Sequence, residues 1–224
     1  MAEGFEILFE GRGLVCVRGA RLVFQGLDFA LPPGGALMLA GANGSGKSSL
    51  LRLMAGFTDP SAGQLLWNGE PISTDRKRHG ARIQFIGHTF GTKAAMTVRE
   101  DLSFWSTLRG SCDPEELDRA LNHFGLSSRG DSPVRFLSSG QKCRLALARL
   151  IATPASLWLL DEPTVGLDND GKAALESSIA TFRETGGVVV VASHTPIELG
   201  ADVNLVELTR FAVPLEAHDL EGLG

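Results

Sequence analysis

A glycine-rich octapeptide early in the chain narrows the possible folds more than any other stretch. It reads Gly41-Ala42-Asn43-Gly44-Ser45-Gly46-Lys47-Ser48 and fits the pattern G-x-x-x-x-G-K-S/T. A short apolar run, Ala36–Ala40, precedes it and a helical pattern at 47–55 follows it, so we predict a strand, a phosphate-binding loop and a helix. Glycine lets successive backbone N–H groups face one anion, and the start of the helix adds a partial positive charge.

The loop also supplies side chains that suit a nucleoside triphosphate with Mg²⁺. Lys47 is expected along the β- and γ-phosphates, and the Ser48 hydroxyl is expected to ligate Mg²⁺. The residues predicted to bind ATP are Gly41, Ala42, Asn43, Gly44, Ser45, Gly46, Lys47, Ser48 and Ser49. The alternative is an ordinary glycine turn before a helix, and the apolar strand in front of the loop argues against it.

A second apolar run ends in two acids. Residues 157–160 are followed directly by Asp161 and Glu162. A buried strand that delivers a carboxylate at its C-terminal edge can hold Mg²⁺ opposite Ser48, usually through water. The next carboxylate can polarise a water for in-line attack on the γ-phosphorus. We therefore predict Asp161 as a metal ligand and Glu162 as a catalytic residue; the alternative is a strand end with two solvated acids.

The composition excludes several other classes of protein. The 224 residues include 21 Lys and Arg against 26 Asp and Glu, a net charge of −5, which argues against nucleic acid as a partner. Cys16, Cys112 and Cys143 lie far apart in the sequence, which excludes a disulfide scaffold or a zinc ribbon. The chain lacks the roughly 18 consecutive apolar residues of a membrane span, and its start does not fit a secretory signal, so we expect no direct membrane insertion.

Apolar runs alternate with helical patterns, which predicts an α/β fold. We expect a P-loop ATPase core with a mainly parallel sheet, an N-terminal antiparallel β part and an inserted all-α sub-domain. The predicted strands are 14–18, 21–24, 27–31, Ala36–Ala40, 64–67, 82–87, 156–160 and Val188–Ala192. The predicted helices after the first are Val98–Leu108, 114–124, 140–151 and a crossover helix with Leu175, Ile179 and Phe182 on its inner face.

The order of these strands and helices predicts that residues 1–224 form a single ATP-binding domain. Residues 1–88 and 155–224 are predicted to form the ATPase core with its β sub-domain, and 89–154 the helical sub-domain. The basic cluster at 76–79 is predicted to be a solvated loop rather than a binding site.

Further motifs make the chain resemble a known family. Leu137-Ser138-Ser139-Gly140-Gln141 is similar to the signature of ABC transporters, Asp161-Glu162-Pro163-Thr164 to their acidic box, and Gly166-Leu167-Asp168 to their D-loop. His194 follows the strand Val188–Ala192 at the position of the family's switch histidine. In order and spacing the motifs resemble the nucleotide-binding subunit of ABC transporters over nearly the whole chain.

The resemblance implies a mechanism and partners. Two copies pair head to tail, and each ATP lies between the phosphate loop of one copy and the signature of the other. His194 would act with Glu162 and Lys47 in catalysis, and Asp168 would pair across the dimer. Transmembrane permease subunits are the implied partners, which would place the chain peripherally at the cytoplasmic face of the inner membrane.

Three positions depart from the family's usual pattern. Ser139 stands where a glycine is commonest, a mild change. His88 stands where most relatives carry a glutamine; a neutral imidazole can offer a nitrogen to Mg²⁺ or to the attacking water, so His88 is a predicted ATP- and metal-binding residue, with a packing or loop histidine as the alternative. The aromatic residue expected on the adenine is missing and the chain has no tyrosine, which leaves Arg18 or Phe24 to lie against the base.

At subfamily level the chain is similar to the ATP-binding subunits of haem exporters in cytochrome c maturation. The similar segments are CVRG at 16–19, GQLLWNG at 63–69, FIGH at 85–88 with Lys93, and ASLW at 155–158. The similarity implies that ATP hydrolysis drives haem export or the release of a haem-loaded chaperone. The alternatives are a subunit of another ABC exporter, a soluble non-transport ABC ATPase, or a module that holds ATP without cleaving it.

The segment 88–105 joins the predicted core to the predicted helical part. In the family this seam forms a groove that receives a coupling helix from the membrane partner. The apolar candidates for lining it are Phe90, Met96, Phe104 and Trp105. The alternative is that they pack the helical part, and for Phe104 and Trp105 packing is the preferred interpretation. Thr97 followed by Glu100 predicts a capping box at the start of a helix.

Overall fold

The chain folds into two β-sheets and six helices within residues 7–110 and 112–211, which the computed structural model describes. The strands are β1 Phe9–Arg18, β2 Arg21–Leu31, β3 Ala36–Ala40, β4 Ala62–Trp67, β5 Glu70–Pro71, β6 Ile83–Ile86, β7 Leu157–Asp161, β8 Val188–Ala192 and β9 Val203–Glu207. The helices are α1 Lys47–Met54, α2 Arg76–Ala81, α3 Val98–Leu108, α4 Pro114–His123, α5 Ser139–Ala152 and α6 Asn169–Glu184. The predicted α/β fold class is confirmed.

The larger sheet has five strands in the order β6-β7-β8-β3-β9, and each neighbouring pair runs parallel. Its central strands are almost purely apolar because both faces are covered. In β8, Val189 and Val191 pack with α3 to α6, whereas Val188, Val190 and Ala192 pack toward α1 and the second sheet. The loops after β3, β7 and β8 therefore meet at one edge, where parallel sheets bind ligands.

The smaller sheet is antiparallel, with strand order β2-β1-β4-β5. The prediction of three short strands within 14–31 is wrong, because two long strands pair along their length and end with Arg18 opposite Arg21. Gly13 and Gly26 lie inside these strands with φ of 58° and 66°. Glycine adopts such angles at little cost, so the register shifts without ending either strand.

Three helices, α3, α4 and α5, follow one another between β6 and β7. The predicted capping box of α3 is confirmed: Thr97 Oγ1 accepts from the Glu100 N–H, and Glu100 Oε2 accepts from the Thr97 N–H. Helix α5 begins with the same arrangement of Ser138 and Gln141. Over the described ranges, none of the helices combines the length and apolar character that crossing a membrane requires.

Besides the two-residue strand β5, the sequence prediction lacks strand β9 and helix α2. Strand β9 forms the edge of the parallel sheet beside β3, and its side chains are exposed or half-buried, so it lacks a strong apolar pattern. The basic cluster predicted as a solvated loop is instead the short helix α2, capped by Asp75, whose side chain accepts from the Arg78 N–H. His79 of this helix is buried, and its Nε2 lies 2.8 Å from the carbonyl oxygen of Met54.

Candidate nucleotide-binding site

The loop between β3 and α1 has the backbone shape of an anion cradle. Gly41, Gly44 and Gly46 adopt φ of 137°, 77° and 105°, a region that only glycine enters at low cost. A Cβ atom at Gly46 would lie 2.6 Å from Val23 Cγ1, so the loop passes too close to β2 for a larger residue. The loop leads into the start of α1, where backbone N–H groups lack helical partners, and this arrangement fits bound phosphates.

Lys47 is 7 % exposed, and its ammonium donates to the carbonyls of Gly41 at 2.6 Å and Ala42 at 3.2 Å. The same Nζ lies 3.1 Å from His194 Nε2. An ammonium has only donors, so the imidazole nitrogen accepts in this contact. Two carbonyls and an imidazole thus hold the lysine at the loop without neutralising its charge.

The two acids after β7 lie in different surroundings. Asp161, the last residue of β7, sits opposite Ala192 and is 5 % exposed. Glu162 leaves the strand with φ of 53°, its N–H donates to Ala192 O at 2.8 Å, and its Oε2 accepts from the His194 N–H at 3.1 Å. Its Oε1 lies 3.3 Å from His194 Nε2 yet has no hydrogen-bond partner among the described residues. The turn therefore places a carboxylate whose Oε1 is free to accept a hydrogen bond.

One cleft of about 690 Å³ brings these groups together, a size typical of small-molecule sites, which span about 300–1,000 Å³. The predicted functional side chains that line it are Lys47, Ser48, His88, Asp161, Glu162 and His194. Asn43, Gly44, Gly46 and Ser49 line it as well. Sequence reasoning misses Arg21, Val23, Val165 and Thr195 in the same wall. The hairpin turn between Arg18 and Arg21 is the signal that would have indicated Arg21.

His88 is mostly exposed at the wall of this cleft, and its Nε2 lies 4.0 Å from Asp161 Oδ2. The distance is too long for a hydrogen bond but fits one bridging water. Ser48 and Asp161 offer the hydroxyl and carboxylate oxygens that Mg²⁺ prefers, whereas an imidazole nitrogen suits other metals better. The donor set therefore fits Mg²⁺ through Ser48 and Asp161, with His88 beside them.

The β1–β2 hairpin contributes the basic part of the cleft. Arg18 and Arg21 face each other at its end and line the cleft together with Val23. The alternative that placed Phe24 against the base is wrong, because Phe24 is fully buried in the core between the two sheets. Like charges on opposite strands are unfavourable by themselves, but two guanidinium groups suit an anion or the face of a base.

The signature lies outside the nucleotide cleft. Leu137 is buried; Ser138 Oγ accepts from the Gln141 N–H at 3.2 Å, and Gln141 Oε1 accepts from the Ser138 N–H at 3.0 Å. Ser139 and Gly140 stand in the first turn of α5, and residues 138–141 line a separate cavity of about 480 Å³. The described residues that line the two cavities do not overlap. Within one chain, the phosphate loop and the signature therefore face different spaces.

Asp168 is bonded within its own chain. Its Oδ1 accepts from Arg144 Nη2 and, at 3.0 Å, from the Gly171 N–H. The hydrogen bond from Arg144, followed by that from Gly171, lowers the pKa of Asp168 below its usual range. Since Arg144 lies on α5 and Asp168 caps the start of α6, the pair ties the signature helix to its neighbour. A contact between Asp168 and a second copy stays a prediction.

Two of the four apolar candidates for a partner groove line a second cleft. Phe90 and Trp105 share this cleft of about 530 Å³ with His88. Phe104 packs against Trp105 with ring centroids 5.7 Å apart and does not line it, and neither does Met96. The docking of a membrane partner here stays a prediction.

Residues 24–165 match the family described as ABC transporter. The cytochrome c biogenesis ATP-binding export protein CcmA of Rhodospirillum rubrum is 50% identical over 206 residues, which is 92% of this chain and 87% of that protein. The protein of the same name from Paramagnetospirillum magneticum is 46% identical over 214 residues, 93% of this chain and 97% of that protein. An ABC transporter ATP-binding protein from Pyrococcus furiosus, a solved structure, aligns with a TM-score of 0.80 over 92% of this chain and 99% of that one; at 24% identity this likeness shows the fold.

Proposed function

Because the chain belongs to the ABC transporter family as an ATP-binding subunit, we propose that its ATP hydrolysis drives haem export, or release of a haem-loaded chaperone, in cytochrome c biogenesis. The names of the relatives from Rhodospirillum rubrum and Paramagnetospirillum magneticum support this assignment, since both match over nearly the whole chain. The observation that carries the hydrolytic part is the meeting of Lys47, Asp161, Glu162 and His194 in one cleft.

The geometry suggests a role for each of these residues. The phosphate loop binds the β- and γ-phosphates through its N–H groups, and the Lys47 ammonium neutralises the charge that develops on them. The free Oε1 of Glu162 accepts a proton from the attacking water as the general base. His194, fixed by its N–H bond to Glu162, orients the water and contacts the γ-phosphate.

Ser48 and Asp161 would hold Mg²⁺, which when bound neutralises phosphate oxygens. His88, 4.0 Å from Asp161, joins this group through a water. Arg18 and Arg21 would receive the base or ribose end of ATP.

A second copy would complete each site. The signature cavity, lined by Ser138, Ser139, Gly140 and Gln141, lies apart from the nucleotide cleft of its own chain. In a head-to-tail dimer the start of α5, with Leu137 behind it, would face the γ-phosphate bound by the partner. Asp168 would lie at this junction.

The same proposal includes a place and partners in the cell. We assign residues 1–88 and 155–224 to the ATPase core and 89–154 to the helical sub-domain. Permease subunits would dock at the cleft of Phe90 and Trp105, which would hold the chain peripherally at the cytoplasmic face of the inner membrane.

Substitution of Glu162 by Gln tests the hydrolytic role. ATP turnover should fall by at least about 100-fold, because a general base contributes about 10²–10⁴. ATP-dependent dimerisation, followed by analytical ultracentrifugation, should persist because the loop and signature are unchanged. Glu116→Gln, on α4 and outside the cleft, is the matched control. Turnover by Glu162→Gln at the wild-type rate would contradict the assignment.

The cellular role needs a separate test. Membrane subunits and a haem chaperone should co-purify with the chain, and deletion of its gene should stop c-type cytochrome assembly. Co-purification with a different exporter, or with ribosomes, would instead favour another member of the family.

A further inference from the structure

A buried ion pair lies beside the nucleotide cleft and belongs to none of the groups that would touch ATP. Arg149, near the end of α5, is 5 % exposed, and Asp101 on α3 is fully buried. Arg149 Nη2 donates to Asp101 Oδ2 at 2.9 Å, and Nη1 donates to the carbonyl of Phe90 at 2.6 Å. Burial lowers the pKa of Arg149, against the attraction of Asp101. Buried pairs of this kind are often no more stabilising than apolar residues, so stability alone gives no reason for one here.

The pair is bonded to the backbone at two points of the loop that follows His88. Arg149 holds the Phe90 carbonyl, while Asp101 Oδ1 accepts from the Lys93 N–H at 2.7 Å. The Trp105 ring covers the guanidinium, with Arg149 Cζ 4.4 Å from the centroid of the ring. The loop between these two bonds is therefore attached to both α3 and α5.

The end of α5 is also attached to the strand that leads to His88. Gln84 of β6 donates through Nε2 to the carbonyl of Arg149 at 3.2 Å and to Thr153 Oγ1. Strand β6 ends at Ile86, two residues before His88. His88 is thus bracketed, on both sides in sequence, by bonds to one end of the helix whose other end carries the signature.

We propose that Arg149 and Asp101 are positioning residues, which fix His88 and the signature helix as one unit. The inference rests on the proposed ATPase function. Helix α5 has 14 residues and is about 21 Å long, so a displacement at Arg149 moves Ser138 with it. Loss of the pair should impair turnover but leave ATP binding to the phosphate loop intact, since no residue of that loop bonds to the pair.

Single substitutions are insufficient, because they leave one buried charge unpaired and destabilise the fold. We therefore compare them with the double variant Arg149→Met/Asp101→Val in the full chain. The apolar pair should melt above either single variant, because it leaves no buried charge unpaired, and it should bind ATP with a Kd within about twofold, yet kcat should fall about tenfold. Hydrogen exchange of the Lys93 amide should become faster. Arg119→Met, which removes an exposed arginine from α4, is the control.

Arg149→Lys gives a second measurement if the apolar pair does not fold. A lysine keeps the charge but cannot hold Asp101 and the Phe90 carbonyl with a rigid fork, so kcat should again fall with Kd unchanged. The proposal would be overturned if either folded variant had the wild-type kcat. It would also be overturned if hydrogen exchange of the Lys93 amide were unchanged in the apolar double variant. If the wild-type chain itself does not hydrolyse ATP, the proposed function fails, whereas the exchange at Lys93 still reports on the pair.

Discussion

Glu162, the proposed general base, has a strained backbone. A φ of 53° costs a residue other than glycine about 1–3 kcal/mol. The bond from its N–H to Ala192 O keeps the turn in place, and the turn separates the directions of Asp161 and Glu162. The sequence predicts both acids as functional, but it contains no signal for the strain, because the strain depends on the neighbouring strand.

His79 leads to a prediction about pH and stability. Its Nε2 donates to the Met54 carbonyl at the end of α1, and its Nδ1 is buried with no partner among the described residues. Burial, the largest effect, lowers the pKa of His79 below its usual 6.5, and nearby Arg82 adds to this, against the bond to Met54. As the pH falls, His79 is therefore protonated in the unfolded chain before it is protonated in the folded chain. The free energy of unfolding should decrease as the pH falls below about 6.5.

The measurement is the free energy of unfolding in urea over this pH range. His79→Gln keeps a donor toward Met54 but cannot be protonated, so the decrease in stability at acid pH should become smaller. His123→Gln, which replaces an exposed histidine, serves as the comparison. An identical pH dependence in His79→Gln and the wild type would be inconsistent with this role.

A helix or strand could be predicted when its own segment of sequence contains the signal for it. The phosphate loop, the strands at Ala36–Ala40 and Val188–Ala192, and helix α3 were predictable because each contains its own pattern and boundary residues. Strand β9 depends on pairing with β3, and the continuity of β1 with β2 depends on register shifts, so neither is encoded within one segment. Helix α2 is held by burial of His79, which a basic cluster does not indicate.

The two capping boxes allow a matched test of the signature helix. Ser138→Ala on α5 and Thr97→Ala on α3 remove the same kind of cap, and each should lower the free energy of unfolding by about 1 kcal/mol. Only Ser138→Ala should also reduce ATP turnover, because only that helix start is assigned to a γ-phosphate. Thermal melts and steady-state rates measure the two effects. Equal losses of turnover in both variants would show that the cap acts through stability alone.

At the scale of the whole molecule, the residues of the proposed site line two separate cavities. The sequence predicted the members of each motif, but only the fold shows which of them share a cavity: Lys47 and Glu162 share one, and Ser139 belongs to another. Linear order gives no such information, since Ser139 lies between Lys47 and Glu162 in the chain. Because the two motifs line different cavities, one copy could supply the phosphate loop and a second copy the signature.

Two inactive variants should restore activity when they are mixed. Lys47→Ala disables the phosphate loop, and Ser139→Glu places a negative charge at the start of α5, where the helix tolerates it but a γ-phosphate is repelled. In a head-to-tail pair of one copy of each, both changes meet in one site and the other site is intact. Random pairing at equal amounts should therefore give about a quarter of wild-type turnover, since half of the pairs have one working site. If both motifs served the nucleotide of their own chain, the mixture would be as inactive as either variant alone, and differentially tagged, co-expressed copies would distinguish the two outcomes.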